Sequence, residues 1–74
     1  MNARELVAGC LDNPLMLERV GDADEFHTAG INSGEVIRIA LRCEEEAGRP
    51  LDDDELALTN TLKGIDQLLA KEAG

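Results

Sequence analysis

The chain has 74 residues, 16 acidic side chains against 7 basic ones for a formal net charge of −9, and a single aromatic residue, Phe26. A length about half that of a typical domain holds one small core. The excess of carboxylates argues against nonspecific nucleic-acid binding and against anionic membrane surfaces, and favours a basic protein partner. The 11 Leu, 4 Ile, 3 Val and 9 Ala that must build the core are poor in the β-branched and aromatic residues that strands prefer, so residues 1–74 are expected to form one all-α domain. No apolar run approaches the roughly 18 residues of a membrane-spanning helix, and the N-terminus lacks the order of a signal peptide, which predicts a cytoplasmic protein.

Asn2 stands three residues before Glu5, and Leu6, Val7, Cys10 and Leu11 follow at helical spacing, predicting helix 1 over about residues 2–11. Asp12-Asn13-Pro14 then stops it, because proline lacks the N–H donor and disfavours helix in the residue before it. Cys10 and Cys43 have no further Cys or His at ligand spacing, so both read as small buried hydrophobes rather than as a zinc site or a disulfide. From Leu15 to Ile31 the pattern predicts a long loop anchored by apolar residues, with one helical turn at 15–19. A loop of that length in so small a domain points to function.

Asn32 and Glu35 repeat the capping spacing, and Val36, Ile37, Ala40, Leu41, Cys43 and Ala47 share one broad apolar arc, predicting helix 2 from Asn32 to Ala47 with Gly48 as its stop. The opposite face collects Glu35, Arg38, Arg42, Glu45 and Glu46 at salt-bridging intervals, while Glu44 points toward the apolar arc. Asp52 to Glu55 followed by Leu56 and Leu58 predicts a short helix with acids at its positive end, and Thr61 caps a last helix bearing Leu62, Ile65, Leu68 and Leu69. Residues 1–30 carry 2 bases against 6 acids and residues 31–60 carry 3 against 8, whereas residues 61–74 balance, so the acidic surface is expected to belong to the middle of the chain.

Ser33 is the candidate site. With Asn32 as cap it becomes the first residue of helix 2, its hydroxyl faces solvent, and a phosphate ester there would meet the unpaired N–H groups of the helix start, an interaction of roughly 0.3–1 kcal/mol. The run Asp24-Glu25-Phe26-His27-Thr28-Ala29-Gly30-Ile31-Asn32-Ser33, the helix ending Glu44-Glu45-Glu46-Ala47-Gly48 and the following Leu51-Asp52-Asp53 resemble the acyl and peptidyl carrier protein family over nearly the whole chain. The resemblance implies a small four-helix bundle with three longer helices, a short third helix and a long loop between helices 1 and 2.

It further implies that Ser33 carries 4′-phosphopantetheine, delivered from coenzyme A by a phosphopantetheinyl transferase, and that Glu35, Arg38, Arg42, Glu44, Glu45 and Asp53 face partner enzymes. Those partners would be an adenylating enzyme or acyltransferase that loads the cargo, and downstream synthase or tailoring enzymes of a specialised nonribosomal peptide or polyketide type of pathway. The carrier would be a monomer without catalysis of its own. Asn32 stands where the family usually has Asp, and Gly34 where it usually has Leu, which implies a dedicated or permissive transferase. Arg38, where an acid is common, and Arg42 imply some negative charge on the partner.

Ile31, Val36, Ile37, Leu58 and Ile65 are candidates to line a groove for the arm or cargo, or else to be ordinary core. An enzyme built on His27 with Asp24, or on a Cys–His pair, has no supporting motif, and Asp52 to Glu55 lacks the alternation and turn glycine of a calcium loop. A small acidic helical interaction module without a prosthetic group fits composition and periodicity equally well. Modification of Ser33 is what separates the two.

Overall fold

Four residues each take the backbone N–H three positions ahead and so start a helix. Asn2 accepts from Glu5 at 2.9 Å, Asn32 from Glu35 at 2.8 Å, Asp52 from Glu55 at 2.8 Å, and the Thr61 hydroxyl from Gly64 at 3.0 Å. In the computed structural model, which describes residues 1–73, these caps open α1 (Ala3–Ala8), α2 (Ser33–Ala47), α3 (Asp53–Leu58) and α4 (Leu62–Ala73). A 3-10 helix occupies Pro14–Arg19, where one turn was expected inside the loop, and no strand occurs among the described residues. Gly48, at φ 72°, closes α2 by donating to the carbonyls of Glu44 and Glu45.

Helix 1 is shorter than its periodicity predicts. It ends at Ala8, and Cys10 N–H turns back to the Val7 carbonyl at 2.9 Å, so the six-residue α1 is not one of three longer helices. Gly9 disfavours continuing the helix, and Pro14 bars any extension beyond a single further turn. Among the described residues there are therefore two longer helices of 15 and 12 residues, two of six residues and one 3-10 helix.

The last helix, α4, packs against α1, α2 and α3. Leu6 and Val7 of α1, Ile39 and Cys43 of α2, and Leu62, Ile65 and Leu68 of α4 are buried together with Phe26 and Ile31 of the loop. A radius of gyration of 11.1 Å matches the ~11 Å expected for a closed core of this chain length. The approach of α3 to α4 depends on Gly64, where a Cβ would stand 2.0 Å from the Leu58 carbonyl oxygen.

On α2 the buried line is Glu35, Ile39 and Cys43, which corrects the arc expected from the sequence. Ile37 and Leu41 are 60% and 53% exposed, while Glu35 is only 4% exposed. The helix carries apolar residues around most of its circumference, and contact with α1 and α4 selects which of them are covered. At the other end of the molecule Arg49 grips Glu55 with two short bonds of 2.8 and 2.6 Å, and Lys71 of α4 reaches the same carboxylate at 3.1 Å. These contacts, Arg49 foremost, hold the Glu55 carboxyl well below the usual carboxylate range and tie α3 to α4.

Candidate functional site

Ser33 is exposed and occupies the first position of α2. The Asn32 side chain takes the Glu35 N–H, and the Asn32 carbonyl takes the Val36 N–H at 3.0 Å. The N–H groups of Ser33 and Gly34 at the same helix end have no protein acceptor among the described residues. Around Gly34 the space is open: a Cβ there would meet only Asn32 Oδ1, at 3.4 Å. An exposed hydroxyl, two free N–H donors at the positive end of a 15-residue helix and no wall beside them fit a phosphodiester on Ser33 Oγ.

The loop before Ser33 is fastened at several points. Phe26, 1% exposed, and Ile31, 2% exposed, anchor it in the core, and Ile31 N–H donates to the Phe26 carbonyl at 3.0 Å. Phe26 N–H donates to the Asn60 carbonyl at 3.0 Å, and Lys63 N–H donates to the Asp22 carbonyl at 2.9 Å. The Arg4 guanidinium donates to the carbonyls of Leu17 and Val20, both at 3.1 Å, and pairs with Asp22 at 3.3 Å. Gly30, at φ 97°, makes the turn into Ile31 that a side chain would strain.

The residues expected to face partners divide. Asp53 and Glu45 are exposed, Glu45 pairing with Arg42 at 3.2 Å. Arg42 also meets Glu46 at 3.0 Å, and Arg38 meets Asp12 at 3.4 Å, so both arginines already have carboxylates of their own chain. Glu44 is half-buried and accepts the Leu51 N–H at 2.9 Å, which fixes the chain between α2 and α3. Glu35 does not lie on the solvent face: it accepts the Asp12 N–H at 2.9 Å and ties the segment after α1 to the start of α2. Because α1 ends at Ala8, Asp12 N–H does not pair within the helix and the Glu35 carboxylate takes it, a contact between segments 23 residues apart that no local pattern in the sequence signals.

The residues considered for a groove divide likewise. Ile31 and Ile65 are core, Val36 and Leu58 pack on it half-buried, and Ile37 faces outward. Cys10 and Cys43 are buried free thiols, and burial, with Cys10 as the next cause, pushes the Cys43 thiol up to about 11. His27 is exposed, 3.5 Å from Glu25, and no His, Cys, Asp or Glu trio among the described residues is placed to hold a metal ion. No helix among them is long and apolar enough to cross a membrane. No protein-family model, no curated protein and no solved structure matches this chain.

Proposed function

We propose that this chain is a carrier protein that bears 4′-phosphopantetheine on Ser33 and presents a thioester-bound acyl or aminoacyl group to partner enzymes. The observation that carries this reading is the placement of Ser33: an exposed hydroxyl at the first position of the longest helix, beside two unpaired N–H groups, at the end of a loop pinned on both sides. When attached, the group supplies a terminal thiol that holds cargo as a thioester. The protein's own part is to position the ester and to raise the local concentration of cargo at successive active sites. Catalysis belongs to the partners.

The reading implies the four-helix arrangement of carrier proteins, here with α1 cut to six residues. It also implies a docking face beside the serine, and Ile37 and Leu41 on α2 give that face an apolar character. Arg38 and Arg42, being paired internally, contribute less to the choice of partner than their number in the sequence implies. A cytoplasmic setting, where coenzyme A and its transferases are found, goes with the same reading.

The test is intact-mass measurement after incubation with coenzyme A and a permissive phosphopantetheinyl transferase, beside a Ser33→Ala control of unchanged helicity. A gain of one phosphopantetheine group that the control lacks is the expected result. No gain on folded protein with several transferases would refute the carrier reading and leave an interaction module built on Ile37 and Leu41.

A further inference from the structure

With the interhelical space filled by Ile31 and Ile65, the arm needs another resting surface, and a cleft within an arm's reach of Ser33 offers one. It lies between the 3-10 helix and the loop, has a volume of about 420 Å³, and is lined by Asn13, Leu15, Met16, Glu18, Arg19 and Ala29. That volume falls within the ~300–1,000 Å³ of small-molecule sites. The serine lies within reach of the cleft: Met16 Cε is 3.9 Å from where a Cβ of Gly30 would stand, and Gly30 is three residues before Ser33, at most ~11 Å along the chain.

Two features of the cleft have no use within the fold. Leu15 is 68% exposed, the most exposed large apolar side chain among the described residues. Arg19 is the one arginine among them without an ion pair: Arg4 has Asp22, Arg38 has Asp12, Arg42 has Glu45 and Glu46, and Arg49 has Glu55 and Glu72. An uncovered apolar surface beside an unengaged fork of N–H donors matches a neutral chain that alternates amides with a branched hydrocarbon carbon. It is a poor match for a fatty chain, which has no use for Arg19 and Asn13, and for a second anion, which Glu18 would repel.

We propose that this cleft is the docking site for the pantetheine segment of the arm on Ser33, its dimethyl carbon on Leu15 and Met16 and its amide oxygens toward Arg19 and the Asn13 side chain. The inference rests on the carrier reading and adds where the arm lies between visits to partners. Leu15 and Arg19 are positioning residues: they hold the arm and take no part in its chemistry.

The experiment is solution NMR of the protein loaded with unacylated phosphopantetheine, with Leu15→Ser and Arg19→Gln variants loaded in the same way. Nuclear Overhauser contacts from the dimethyl protons of the arm to the Met16 ε-methyl and Ala29 methyl groups are expected. Each variant should reduce them about fivefold or more, in line with the loss of one partly covered Leu contact or one charge-assisted hydrogen bond. Because both side chains are exposed and unpaired in the fold, the variants should keep the wild-type melting temperature, which separates loss of docking from loss of structure. A loaded protein whose arm contacts Ile37 and Leu41, or contacts nothing, overturns this inference and leaves the carrier reading standing. A protein that cannot be loaded at Ser33 overturns both.

Discussion

The close approach of α3 to α4 at Gly64 makes Gly64→Ala a severe test of how α3 is held. A methyl group at this position would lie 2.0 Å from the Leu58 carbonyl oxygen, 2.8 Å from its carbon and 2.9 Å from its Cα. Ordinary contact begins near 3.4 Å, so the oxygen contact falls short by 3.4 − 2.0 = 1.4 Å, and every opposing atom is backbone that no rotamer change can move. Alanine in place of glycine inside a helix gains about 1 kcal/mol. Forcing two packed helices apart costs about 3 kcal/mol, the upper part of the overpacking range. The net loss is about 2 kcal/mol, which for a domain of this size lowers the melting temperature by about 10 °C. Thermal unfolding followed by far-ultraviolet circular dichroism reads it directly. Gly34→Ala is the matched comparison, since its methyl group meets only Asn32 Oδ1 at 3.4 Å, and it should raise the melting temperature by a few degrees, about 0.5–1 kcal/mol. A Gly64→Ala protein that melts at or above the wild-type temperature would show that α3 does not approach α4 in this way.

Acid should weaken the fold through Glu55. Its carboxyl titrates lower in the folded chain than the ~4.3 of an unfolded glutamate, so its contribution is complete above that value and is lost as the pH falls below it. Urea midpoints measured from about pH 5 down to about pH 2 should fall, and Glu55→Gln should flatten part of that slope; an unchanged slope would remove Glu55 from the account. The Cys43 thiol, raised to about 11, should react with iodoacetamide near pH 8 at least about a hundredfold more slowly in native buffer than in urea. Equal rates would mean that the α2 core line is open to solvent.

The helix starts were legible because capping is a local code. Asn2, Asn32, Asp52 and Thr61 each precede the residue whose N–H they accept by three positions, and all four bonds form. The anchoring of the loop by Phe26 and Ile31 was legible too, since large apolar residues in an acidic stretch have few other places to go. What periodicity cannot supply is the choice among faces of a helix that is apolar on several sides. Ile37 and Ile39 are both apolar yet stand about 200° apart on α2, and only the positions of α1 and α4 decide that Ile39 is covered. Glu35 shows the same limit for polar groups: its spacing from Asn32 fitted a cap, but the donor that its carboxylate meets is 23 residues away in sequence. For the site, the exposed position of Ser33 followed from its neighbours in the chain, whereas the internal pairing of Arg38 depends on where the segment after α1 passes.

The two main-chain hydrogen bonds that join Phe26 to Asn60 and Lys63 to Asp22 make the longest irregular stretch of the chain part of the same cooperative unit as α3 and α4. Peeling this stretch away would wet the Phe26 ring, at roughly 1.5–3 kcal/mol, and break both bonds together. Its amide protons should therefore exchange with solvent on the timescale of the helices. Ser33 then stands on a stiff pedestal, and under the proposed carrier function reach toward distant surfaces would come from the arm, while the polypeptide beneath it keeps its shape.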